Sequence, residues 1–98
     1  MIRYEGKKTP AKVGETEFDY RKIGIDEQKE LMKLFSQFNK DGKNVLDSSE
    51  SIEAFFGWKM SIVAYMTDTT MDEVKKLPPD IFEPIFDFLI GIDNEKKQ

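Results

Sequence analysis

The chain predicts an α+β fold, mainly α, with an N-terminal β-hairpin followed by a bundle of about four helices. Two changes of period carry that expectation. "TEFDYRKI" alternates, setting Phe18 and Tyr20 on one face and Asp19 and Arg21 on the other, which is strand spacing. From Ile25 onward, Leu31, Leu34, Phe35 and Phe38 recur at i, i+3, i+4 and i+7, one face of a helix. Length adds a third constraint: 98 residues, 39% hydrophobic and 35% charged, suit one folded domain over residues 1–98 with a single core.

Taken in order, residues 1–23 form the hairpin and strand segment, 25–92 the helical part and 93–98 a polar tail. Gly14-Glu15 between "AKV" and "TEF" fits a two-residue turn with glycine first, because glycine reaches positive φ without steric cost. Met1–Tyr4 offers a further strand, and "EGKKTP" is loop. The first helix opens near Asp26 and "NKDGKN" ends it. A second runs from about Ser48 to Met66 with a wide apolar arc, so it belongs at the centre of the core. Gly57 within it weakens helix propensity, and a closely approaching neighbour is the expected compensation. Thr70 and Glu73 have capping-box spacing before a short helix from Met71 to about Leu77, stopped by Pro78 and Pro79. Asp80 and Glu83 repeat that spacing before a last helix, with Pro84 as an alternative starting point.

Composition excludes several functions. No apolar run approaches the length of a bilayer span, since "IFEPIFDFLIGI" is broken by Glu83, Pro84 and Asp87. "MIRYEGKK" lacks the apolar region of a signal peptide. A formal net charge of −4, with scattered lysines, argues against nucleic acid as a partner, because phosphate binding needs a basic face. The chain has no Cys and no His, which removes disulfides, thiolate chemistry, zinc ligation and the commonest general base. Its serines have no activating base, and no P-loop or dinucleotide-binding glycine pattern occurs. No enzymatic activity and no cofactor are expected.

"FNKDGKNVLDSSE" raises one metal-binding possibility. With Asn39 in the first position of an EF-hand calcium loop, Asp41, Asp47 and Glu50 fall on ligand positions and Leu46 on the apolar one. Against this, Lys43 stands where an oxygen ligand is needed and Asn44 where the loop needs glycine. The same residues also fit a turn, with Asp41-Gly42 closing the helix and Asp47 and Glu50 capping the next. The capped turn is the expectation, and a single degenerate EF-hand-like module the alternative.

What remains is apolar surface. Eight Phe, five Met, three Tyr and one Trp are concentrated in "AFFGWKMSIVAYM" and "IFEPIFDFLIGI". Met and aromatic side chains together make adaptable contact surfaces. A groove between the second and last helices would use Phe55, Phe56, Trp58, Met60, Phe82 and Phe86.

"KVGETEFDYRKIGIDEQKELMKLF" and "MTDTTMDEVKKLPPDIFEPIFDFLIG" together resemble tail assembly chaperones of long-tailed bacteriophages. The shared features are a glycine-turn hairpin, an aromatic strand, an amphipathic helix, then a short "EV..LP" helix and an apolar final helix. The resemblance implies a non-enzymatic protein in the host cell cytoplasm. It would coat the helical, aggregation-prone tape measure protein until tail tube protein polymerises around it, with self-association possible. Another small phage structural or adaptor protein, such as a connector or an inhibitor of a host enzyme, is the further alternative.

Overall fold

A computed structural model of the chain describes residues 7–95. The element order is β1 (Thr9–Val13), β2 (Thr16–Tyr20), α1 (Ile25–Ser36), β3 (Asn39–Lys40), β4 (Lys43–Asn44), α2 (Ser49–Thr67), α3 (Met71–Lys75) and α4 (Pro79–Glu95). This is the expected hairpin followed by four helices. The proposed strand at Met1–Tyr4 lies outside the described residues, and α4 takes in the first residues of the expected polar tail.

β1 and β2 pair antiparallel, with Val13 opposite Thr16 and Thr9 opposite Tyr20. Within their turn only Gly14 has a positive φ, of 60°, as a glycine-first hairpin requires. The alternation survives in the fold. Glu17 and Asp19 face solvent, while Phe18 and Tyr20 meet Phe88 of α4 edge-on at 6.0 and 5.6 Å. A second tie comes from the backbone: Arg21 N–H donates to Met66 C=O at 2.7 Å. That carbonyl lies in the last turn of α2 and has no partner within the helix, so the hairpin completes the helix end.

α1 opens at Gly24, where the Glu27 carboxylate accepts the Gly24 N–H at 3.0 Å. Arg21 grips the same carboxylate with both guanidinium nitrogens, at 2.9 and 2.6 Å. The Arg21 hydrogen bond, aided by the Gly24 N–H, holds the Glu27 pKa below the usual carboxylate range against the opposing effect of burial. The depressed folded-state pKa means that this contribution is present above the unfolded pKa and lost as pH falls through the folded one. Glu27→Gln is therefore expected to cost about 1 kcal/mol at neutral pH. In denaturant titrations the gap from the wild type should close on acidification.

α2 is surrounded by α1, α3, α4 and β2, which explains why apolar residues occupy nearly every face of it. Ile62, Val63, Ala64 and Met66 join Leu31, Val74, Ile85 and Leu89 in the core. Its start differs from expectation. Ser48, not Asp47, is the N-cap: Ser48 Oγ accepts the Ser51 N–H and Ser51 Oγ accepts the Ser48 N–H, both at 3.1 Å. Both pairs have capping spacing, but the serine pair buries Ser51 with its hydroxyl bonded and leaves Glu50 exposed, accepting from the Ser49 hydroxyl at 3.5 Å. At the other end Asp68 takes the left-handed conformation (φ 58°), while the Thr69 N–H reaches Ala64 C=O at 3.0 Å.

Gly57 does not mark a close backbone approach. A β-carbon there would lie 3.9 Å from Leu34 Cδ2, an ordinary contact. Gly57→Ala is expected to stabilise the fold by about 0.5–1 kcal/mol through helix propensity. A thermal melt checks this, and a lowered Tm would show that the helix needs the glycine for another reason.

α3 begins as expected, with Thr70 Oγ1 accepting the Glu73 N–H at 3.2 Å, but ends at Lys75, before Leu77. α4 starts earlier than Asp80 or Pro84 would set it. Pro78 C=O accepts the N–H groups of Ile81 and Phe82 at 3.0 and 2.9 Å, so Pro79 occupies the first helical position. A proline there costs no hydrogen bond and presets φ. Pro84 lies inside the helix on its exposed side, where water can reach the Asp80 carbonyl that loses its intrahelical donor.

Candidate docking site

Phe38 is the hub of an aromatic chain linking three segments. It is fully buried just beyond α1, and its ring meets Phe35 and Phe55 at 5.2 Å and Trp58 at 5.5 Å. Trp58 extends the chain to Phe86 at 5.7 Å, and Phe86 stacks on Phe82 at 6.2 Å. Edge-to-face contacts of this kind add to simple area burial.

Lys59 sits inside this cluster, only 8% exposed. Its ammonium lies 5.0 Å from the Phe86 ring centre, 5.3 Å from Phe55 and 5.9 Å from Phe82. Glu83 supplies the counter-charge, with both carboxylate oxygens accepting from Nζ at 2.7 and 2.8 Å. Three ring faces and a carboxylate thus replace the water removed by burial. The pair spans α2 and α4 and closes the space between them.

The six expected groove residues therefore divide. Phe82 and Phe86 are core, and Phe55 and Trp58 are half-buried in the same aromatic network. Met60 is half-buried at its margin, whereas Phe56 turns outward, 49% exposed. Ile52, one turn earlier, is 41% exposed. Ile52, Phe56 and Met60 follow at i, i+4 and i+8, so they form one stripe along the first half of α2. Ile52, Lys59 and Glu83 were not among the expected site residues. Lys59 had a visible signal, as the lone charge in the apolar run "AFFGWKMSIVAYM", whereas Glu83 shares its run with Asp87. Ile52 had none, because an apolar residue on a helix apolar all round does not declare its direction.

The calcium-loop alternative meets a different backbone. β3 and β4 pair antiparallel, Asn39 opposite Asn44 and Lys40 opposite Lys43, around a tight turn with φ of 52° at Asp41 and 82° at Gly42. Positive φ at both central residues is the twist-matched hairpin turn that Asp-Gly favours. Asn39 Nδ2 donates to Asn44 Oδ1 at 3.0 Å, so the side chain at the loop's first position is engaged across the hairpin. Among the described residues no group of three or more Asp, Glu, His or Cys side chains could hold a metal ion. No described helix is long and apolar enough to cross a membrane. A shallow, open depression over the hairpin, lined by Pro10, Lys12, Glu17, Phe18 and Asp19, lies away from the aromatic cluster. Its mixed lining converges on no point.

No protein-family model matches the chain, and neither a curated protein nor a solved structure is significantly similar to it.

Proposed function

We propose that the chain is a non-enzymatic tail assembly chaperone, binding tape measure protein through the outward stripe of α2 and keeping it soluble during phage tail assembly. The observation that carries the docking part is the stripe itself: two large apolar side chains, Ile52 and Phe56, one helical turn apart and 41% and 49% exposed, with the Phe56 ring edge-on to Phe55 at 5.5 Å. The partner's identity rests on the resemblance of the hairpin and C-terminal segments described above. A small stripe gives modest affinity per copy, which suits many copies lining one long partner, since avidity holds the coat and weak single contacts allow release. The net charge of −4 would keep such a coated complex dispersed. The site of action would be the host cell cytoplasm.

Co-expression with a tape measure protein tests this. The wild type should move that protein into the soluble fraction, and the double variant Ile52→Asp/Phe56→Asp should fail to do so while keeping its helical circular dichroism. A tape measure protein that stays insoluble beside the wild type would overturn the chaperone reading.

A further inference from the structure

α1 carries an apolar seam that the core does not use. Its inward face is spent on Leu31, which is buried, and Leu34, which packs beside Gly57 of α2. Around the helix from these, Ile25, Gln28, Met32 and Phe35 stand at i, i+3, i+7 and i+10. That alternation of threes and fours lets two helices mesh along one line. Ile25 and Met32 are 75% and 64% exposed, the most exposed large apolar side chains among the described residues. Phe35 continues the seam from the rim of the aromatic cluster, with its ring against Trp58.

The charges along one flank of this seam are ordered by sign. Asp26 stands near the start of α1 and Lys33 two turns later, and both are exposed. Lys33 touches Glu30 at 3.5 Å, but both side chains are mostly in water, so that contact yields readily. A second α1 laid antiparallel sets Ile25 opposite the partner's Phe35 and Gln28 opposite the partner's Met32. It also sets Asp26 opposite the partner's Lys33, and two-fold symmetry makes each contact twice. A parallel arrangement would oppose Asp26 to the partner's Asp26 and Lys33 to the partner's Lys33. The charge order therefore selects a second copy of this chain, running antiparallel.

We propose that this face of α1 is an interface between two copies of the chain, α1 packing antiparallel on α1. Its 12 residues give a seam of roughly 18 Å, short enough that association is weak and reversible. The α2 stripe takes no part in it.

Sedimentation equilibrium of the full chain tests this from roughly 10 µM to 1 mM, the range suited to so small an interface. The wild type should pass reversibly from monomer to dimer, and Met32→Asp should stay monomeric. Lys33→Asp sets like charges together twice and should weaken the dimer about tenfold at low salt, less at high salt. The charge swap Asp26→Lys/Lys33→Asp should regain most of that loss, with helical circular dichroism unchanged throughout. Ile52→Asp/Phe56→Asp should dimerise like the wild type, which separates this interface from the α2 stripe. A wild type that stays monomeric, or a dimer that survives Met32→Asp, would overturn the proposal. A dimer lost in Ile52→Asp/Phe56→Asp would also overturn it, by placing the second copy on α2. A charge swap no better than Lys33→Asp would overturn the antiparallel arrangement.

Discussion

Phe38→Ala is expected to lower the free energy of unfolding by about 3–5 kcal/mol, a large share of the roughly 5–15 kcal/mol that holds a domain of this size. Phe38 is 0% exposed, and three aromatic rings from α1 and α2 close around it. Its backbone carbonyl also accepts the Val45 N–H at 2.6 Å, so the same residue pins the segment between the two helices. Removing the ring leaves a cavity that these anchored neighbours cannot collapse into. Phe35→Ala is the natural comparison, since Phe35 packs on the same rings from the rim, 38% exposed. It should cost about 1 kcal/mol, because much of its surface already meets water. Urea titrations of the two variants check the ranking, and equal losses would mean that Phe38 is not the hub.

The Lys59–Glu83 pair yields the second large effect, and its two halves should differ. Glu83→Ala leaves an ammonium among three rings with no carboxylate. Breaking a buried pair costs about 3–5 kcal/mol, and the 45% exposure of the Glu83 side chain reduces this to about 2 kcal/mol by admitting water. Lys59→Met replaces the cation with an apolar chain of similar length in an aromatic setting that suits thioether sulfur. That change should be neutral within about 1 kcal/mol, or stabilising, because it also removes the cost of burying the charge. In Lys59→Met/Glu83→Ala, the loss caused by Glu83→Ala alone should largely vanish. Equal destabilisation by both single variants would instead show that the attraction between the charges outweighs their desolvation.

Much of this fold was legible from local chemistry. The first hairpin followed from one alternating run and one glycine, and α1 and α3 from spacing and caps. Where two signals of equal kind competed, the choice depended on contacts. Asp47/Glu50 and Ser48/Ser51 have the same capping spacing, and burial of Ser51 decided between them. Pro79 was legible only as a stop for α3, with Asp80 or Pro84 as the start of α4, and the hydrogen bonds to Pro78 C=O make Pro79 the first residue of α4 instead. The β3–β4 hairpin was visible only as a turn, since strands of two residues are too short to show alternation. The docking stripe was the least legible feature. α2 is apolar on most of its circumference, so periodicity offers no contrast by which Phe56 differs from Phe55. Their separation into surface and core comes from which neighbours each ring meets.

The most direct test of the docking claim is a photo-crosslink from position 56 during co-expression with a tape measure protein. A photoreactive phenylalanine analogue replaces Phe56 in one sample and Lys29, on the exposed face of α1, in the other. The account predicts a crosslinked adduct with the tape measure protein from position 56 and none from position 29. No adduct from position 56, or equal adducts from both positions, would contradict it.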